Sequence, residues 1–316
     1  MGILNDAALV ALVAGVLALL VCASIAGWVL GRLVTGASNR AIVENINSRI
    51  RAWWMMAAIF VLALTTGAIV SILLFSLISV LAFREFVTLA PTKAADHRAL
   101  VWSFFVVTPI QYYLIWIQWY GLFSILIPVY VSILLAIRTA MAGDTERFLE
   151  RTATHQWGLM ICVYFVSYVP ALLMLRVPGY ELAAPKLMFF LVLVVQLSDV
   201  LQYIWGKSVG RRRLAPSISP NKTWEGLIGG VACATALGAG IWWATPFSPV
   251  MAAGIAFVLT MMGFAGGLIM SAIKRDRGVK DFGSLLAGHG GVLDRIDSLC
   301  FAAPVFFHLT RYFYMP

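Results

Sequence analysis

Apolar runs long enough to cross a bilayer recur along most of this chain, and they leave it few ways to fold. In hydrocarbon every backbone N–H and C=O must be satisfied within its own segment, so a run of about 20 such residues crosses as an α-helix. Spans are expected near Ala8–Leu30, Leu100–Gln118, Leu122–Ile137, Gly158–Leu175, Leu187–Ile204, Leu227–Ala244, Met251–Met270 and Ser298–Leu309. The run from Trp53 to Ala82 is too long for one comfortable span and has a weak break at Thr65-Thr66-Gly67. Basic loops flank it on both sides (Arg49 and Arg51, then Arg84, Lys93 and Arg98), and only a hairpin of two short helices returns both to the cytoplasm. The expected fold is an all-α polytopic membrane bundle of about ten transmembrane helices with both termini outside. Charged residues make up 12% of the chain, about half of what a soluble domain carries.

The charges are not spread as on a nucleic-acid-binding face, despite a net charge of +9; they cluster between spans, as topology signals and lipid-headgroup contacts do. With ten spans only Arg176, Lys186 and Arg311 fall outside, leaving 20 of the 23 Lys/Arg inside. The first run lacks a convincing small-residue cleavage site and reads as a retained helix. A further interfacial helix is expected around Arg40–Ile50. Glu146, Arg147, Glu150 and Arg151 read as a solvated helix with spaced ion pairs. Cys22, Cys162, Cys233 and Cys300 all lie in apolar runs without a CxxC pair and read as packing residues. The chain divides into N-terminal helices over 1–100, middle helices over 101–185, and a region over 186–316 carrying the polar loops 206–224 and 271–297.

The stretch Ser271–Asp297 holds four of the 14 acidic and five of the 23 basic residues. On a helix, Asp294 and Asp297 share a face, and two adjacent carboxylates repel unless a cation neutralises them. A helix start would explain one of them; both, beside Asp281, point to a divalent ion with oxygen ligands, Mg²⁺ foremost. His289-Gly290-Gly291 adds a backbone able to approach an anion closely. Lys274 and Lys280 are candidates to offset phosphate charge; Arg277 reads as topology. Asp199, near the end of its span, is a site candidate because ionisable residues inside spans are costly. Plain helix-end placement is an equally good reading. Arg211 to Gly226 ends at a new helix, and Ser219, Asn221, Lys222 and Thr223 suit a phosphate site at its N-terminus. No Walker loop, GxSxG or HExxH is present.

Together these stretches resemble the phosphatidate cytidylyltransferases. The signature Ser-x-apolar-Lys-Arg, four residues, Lys-Asp, then His-Gly-Gly-x-x-Asp-Arg-x-Asp is matched by Ser271, Lys274, Arg275, Lys280, Asp281, His289, Gly290, Gly291, Asp294, Arg295 and Asp297. An intramembrane Asp, Gly-Lys, then Ser-Pro-x-Lys-Thr-x-Glu-Gly is matched by Asp199, Gly206-Lys207 and Ser219 to Gly226. The resemblance implies CMP transfer from CTP to phosphatidate, giving CDP-diacylglycerol and pyrophosphate for phospholipid synthesis. It implies Mg²⁺ held by Asp294, Asp297 and Asp281 or Asp199, with Lys274, Lys280, Asp281 and Asp297 in catalytic positions. Arg212, Lys222 and the Ser219–Thr223 helix start would bind triphosphate or cytidine, and Ser271, Arg275, His289, Gly290, Gly291 and Arg295 would complete the substrate site. It also implies a homodimer in a bacterial inner membrane, with the site facing the cytoplasm.

The chain departs from the family at Ala287, Gln202 and Met270, and most sharply at Gly267, where the family has Asp. These departures mark a divergent branch. They leave open a CTP-dependent enzyme acting on another anionic lipid, or an inactive member. A transporter of an anionic solute would need inverted repeats with broken helices, which the sequence does not display.

Overall fold

The structure is a computed structural model and describes residues 6–34, 36–180, 183–284 and 290–315. Within them lie ten long helices: α1 Ala7–Leu33, α2 Ala37–Thr66, α3 Ala68–Leu89, α4 Ala94–Trp116, α5 Tyr120–Ala140, α6 Phe148–Met174, α7 Ala183–Ser208, α8 Trp224–Gly240, α9 Pro249–Asp276 and α10 Leu293–Tyr314, with a single short turn of helix at Trp242–Ala244. Eight of these, α1 to α7 and α9, are long and apolar enough to cross a membrane. The all-α polytopic fold is therefore as the apolar runs predict. Of the other two, α8 is 17 residues long and α10 carries Asp294, Arg295 and Asp297 in its first turns.

The chain does break at Gly67, whose φ of +115° only glycine adopts without strain. The Ser71 hydroxyl folds back to the Ala63 carbonyl across this turn at 3.0 Å. The two arms are not short, however: α2 runs 30 residues. It absorbs the expected interfacial helix, and Arg40–Ile50 forms its first half.

Polar contacts sort the helix ends into two sets. At one end Lys186 pairs with Asp6 at 2.8 Å, Arg176 donates to Gln118, and Arg311 stacks over Tyr120. At the other end Lys93 meets Asp144. Arg151 departs from the expectation of a solvated residue. Its side chain is 3% exposed and lies between Asp96 at 3.5 Å and Asp144 at 2.9 Å; the Arg147–Glu150 pair is exposed as expected. The guanidinium is drawn inward because it joins the first turn of α4, which carries Asp96, to the α5–α6 turn, which carries Asp144.

Helices α7 to α10 pack against one another, with α3 and α6 laid over α10. The α7–α8 crossing is close because glycines line it. A Cβ on Gly226 would lie 2.8 Å from the Gln202 carbonyl oxygen, and one on Gly230 would lie 2.8 Å from the Gln202 backbone. The four cysteines are free.

Candidate active site

Between α7 and α8 the chain forms a small antiparallel hairpin, β1 Arg213–Ala215 with β2 Ser219–Thr223. The Pro216-Ser217 turn and a bond from the Ile218 N–H to the Ala215 carbonyl close it. Thr223 ends the hairpin and caps α8, its hydroxyl oxygen accepting the Gly226 N–H at 3.1 Å. Glu225 accepts the N–H groups of Arg211 and Arg212, which holds the start of the hairpin to the helix. The side chains of Arg212 and Asn221 are exposed, and Ser219 is half-buried.

Lys222 alone of this group reaches into the bundle. Its ammonium lies 4.5 Å from the Phe264 ring centroid and 2.9 Å from the place a Cβ would take at Gly267. The space where the resembling family carries a carboxylate is thus approached by this chain's own cation. Burial pushes the Lys222 ammonium below its ordinary range, and Asp199 and Asp297 act in the opposite sense.

Helix α9 ends at Asp276, and the chain turns away at Gly278, whose φ is +68°. Along its last turns the Ser271 hydroxyl donates to the Gly267 carbonyl at 2.6 Å, a bond within the helix. Lys274 points across to α10 and meets Asp294 at 2.8 Å. Arg275 donates to the carbonyls of Ile218 and Val279, both at 3.2 Å, tying the hairpin to the α9–α10 connection. Arg277 pairs with Asp276. Lys280 and Asp281 are exposed.

On α10 the two carboxylates share a face, as their spacing predicts, but have different surroundings. Asp294 is engaged by the protein: one oxygen takes Lys274, the other the N–H groups of Phe282 at 2.8 Å and Gly291 at 3.0 Å. Gly290, with φ +79°, lies against both Asp294 and Asp281. Asp297 accepts the Ser298 N–H at 2.8 Å and lies within electrostatic reach of Asp199, Lys222 and Lys274. Asp199 has the Ser298 hydroxyl as a partner. His289 lies outside the described residues. Gln196 of α7 donates to the Arg295 carbonyl at 3.1 Å, adding a bond between the helices that carry Asp199 and Asp297.

Among the described residues no three His, Cys, Asp or Glu side chains converge as a ready metal cage. Mg²⁺ does not require one, since it is commonly held by one or two carboxylates with substrate phosphates and water completing its shell. Asp199 and Asp297, half-buried and close enough to interact electrostatically, fit that need, because two neighbouring like charges favour a cation between them.

The sequence reading missed one residue at this site. Glu85 of α3 is 8% exposed and accepts the N–H groups of Val292 and Leu293, each at 2.9 Å. An acidic residue in an apolar helix was the available signal. The apolar run in the sequence stops at Ala82, whereas α3 continues to Leu89 and carries Glu85 in its last turns.

The cytidylyltransferase family model matches residues 47–313. Over 272 residues the chain is 39% identical to the "Uncharacterized protein YnbB" of Escherichia coli (strain K12), covering 85% of this chain and 88% of that protein. It is 30% identical to the phosphatidate cytidylyltransferase of Bacillus subtilis (strain 168) over 283 residues, 85% of this chain and 99% of that enzyme. It is 29% identical to the enzyme of the same name from Staphylococcus aureus (strain COL) over 253 residues, 78% and 92%. The match spans α3 and every helix that contributes to the site, and this chain belongs to the cytidylyltransferase family.

Proposed function

We propose that the protein transfers CMP from CTP to phosphatidate, releasing pyrophosphate and forming CDP-diacylglycerol. The observation that carries this reading is the meeting of Asp199, Lys222, Lys274, Asp294 and Asp297 at one end of α7, α9 and α10. A phosphate oxygen of the lipid attacks the α-phosphorus of CTP, a new P–O–P bridge forms, and the α–β bridging bond breaks with pyrophosphate leaving. The nucleophile is already an anion, so no strong base is needed; alignment and charge neutralisation carry the rate.

Lys274 is the nearer source of positive charge on the α10 side, held in place by Asp294, and Lys222 supplies it on the hairpin side. Arg212, Ser219, Asn221 and Thr223 border the hairpin where a nucleotide would lie; Ser271, Arg275, Gly290, Gly291, Arg295 and the exposed Lys280 and Asp281 border the α9–α10 connection. Asp199 and Asp297 would hold Mg²⁺, joined by the exposed Asp281 or by Asp294 on release from Lys274; the ion would neutralise the triphosphate and the leaving pyrophosphate. The excess of Lys/Arg at this end of the bundle supports a cytoplasmic site reached by lipid from the inner leaflet. A homodimer is part of the same reading.

A second acceptor class is favoured by one observation: glycine at 267 with Lys222 beside it changes the charge at the centre of the site. Another lipid phosphate would use the same chemistry. The test is an acceptor panel at fixed CTP and Mg²⁺. Phosphatidate as the preferred acceptor supports the proposal. Preference for a polyprenyl phosphate, with phosphatidate inert, would move the assignment to the second class.

A further inference from the structure

We infer that Glu85 is a positioning residue for the reaction, an anchor reaching from α3 to set the α9–α10 connection and, through it, the carboxylates of α10. This inference rests on the proposed reaction for its kinetic consequence, but its geometry stands independently. The start of α10 has no cap of its own: Val292 at the N-cap is helical (φ −61°, ψ −43°) and makes no side-chain cap bond. A helix start leaves up to four N–H groups without partners. Here Glu85, more than 200 residues earlier in sequence, takes those of Val292 and Leu293 at 2.9 Å, one on each oxygen, while the Asp294 side chain takes the N–H of the preceding Gly291 at 3.0 Å. A carboxylate at that position also suits the positive end of the helix dipole.

The connection is shaped around this carboxylate at two places. A Cβ on Gly283 would lie 2.6 Å from a Glu85 oxygen, and one on Gly291 would collide with the other oxygen. Glycine at 283 and at 291 therefore lets the chain close on Glu85 before and after the 285–289 segment. The neighbouring Phe86 ring stacks on Phe282 at 6.4 Å, and the Phe282 N–H is the one bound by Asp294. One turn of α3 thus holds the connection on both sides, and Asp294 and Asp297 lie within the next turns of α10. A displacement of about 1 Å at such groups is enough to cost about 10²-fold in rate.

A purely structural cap would affect folding alone; an anchor affects the chemistry in molecules that remain folded. The experiment compares the full-length wild type with Glu85→Gln, in which one oxygen acceptor becomes an NH₂ donor at nearly constant volume, and with Gly283→Ala, which disturbs the same contact from the other chain. Hydrogen exchange and steady-state turnover are read at a temperature where all three are folded. The expected result is exchange of the 291–293 amides at least about tenfold faster in Glu85→Gln, with α7 peptides unchanged. The kcat should fall by about 30- to 100-fold while KM for CTP moves less than about threefold, and Gly283→Ala should share that pattern. Unchanged exchange at 291–293 in both variants, or unchanged kcat in both, would overturn the inference. If the wild type transfers CMP to no lipid, the proposed reaction fails, and the exchange comparison alone then upholds or overturns the anchor.

Discussion

Gly267 is the sharpest residue-scale departure of this chain from the family it belongs to, and it lies beside Lys222, a position where the chain keeps the family's lysine. The ammonium lies in reach of Asp199 and Asp297 and over the Phe264 ring. Removing the cation leaves these half-buried carboxylates uncompensated, at a cost below the ~3–5 kcal/mol typical of a fully buried pair. Lys222→Met should therefore lower the unfolding temperature in metal-free detergent. Added Mg²⁺ should restore part of the loss, because a ligand that binds only the folded form stabilises it by mass action. Thermal melts with and without Mg²⁺ read this directly, and a melting temperature indifferent to both changes would argue against a shared charge cluster. Gly267→Asp should pair with Lys222 and draw it away from Asp199 and Asp297. The Mg²⁺ concentration giving half-maximal turnover should then fall, as the carboxylate pair gains need of an external cation.

At the scale of elements, two contacts set where the site groups stand. The α7–α8 crossing depends on Gly226 and Gly230, and a methyl at 230 meets the backbone of Gln202, three residues after Asp199. Gly230→Ala should cost about 1–3 kcal/mol through overpacking and reduce turnover, checked by chemical denaturation beside a kinetic assay. The Arg151 clamp pairs with Asp96 and Asp144 rather than with the carboxylates and lysines of the site, and should separate stability from rate. Arg151→Met leaves Asp96 buried without its cation, so stability should fall by about 3–5 kcal/mol while kcat in the remaining folded enzyme stays near wild type.

The clamp also predicts a pH dependence. The Arg151 guanidinium holds the Asp144 carboxyl down to about 2 from its ordinary 3.8. A depressed carboxylate stabilises the fold above its unfolded pKa, and that contribution is lost as pH falls through the folded one. Stability should thus drop between about pH 4 and pH 2, and less steeply in Asp144→Asn.

Across the whole molecule, apolar run length made the bundle legible, because backbone satisfaction in hydrocarbon allows a long run little besides helix. Ten segments were expected and ten long helices are present among the described residues, with α2 and α3 meeting at the glycine the sequence marked. What stayed hidden needed three dimensions. The hairpin at 213–223 is too short for a pattern of alternation to reveal. Arg151 sits in a charged run that reads as solvated, and only the folded turns around Asp96 and Asp144 bury it. Asp294 and Asp297 were legible as a pair by spacing, but not that one is engaged by Lys274 and the backbone while the other faces Asp199. Glu85 lay beyond the expected end of its span, and its partners are more than 200 residues away.

The most direct test follows the label from CTP in purified full-length protein with phosphatidate and Mg²⁺, beside Asp297→Asn. Transfer of CMP predicts that an α-phosphate label enters the lipid and a γ-phosphate label leaves as pyrophosphate, both abolished by EDTA and reduced at least about 10²-fold in Asp297→Asn. CTP binding without label in any lipid, or transfer unaffected by Asp297→Asn, would contradict a cytidylyl transfer centred on Asp199 and Asp297.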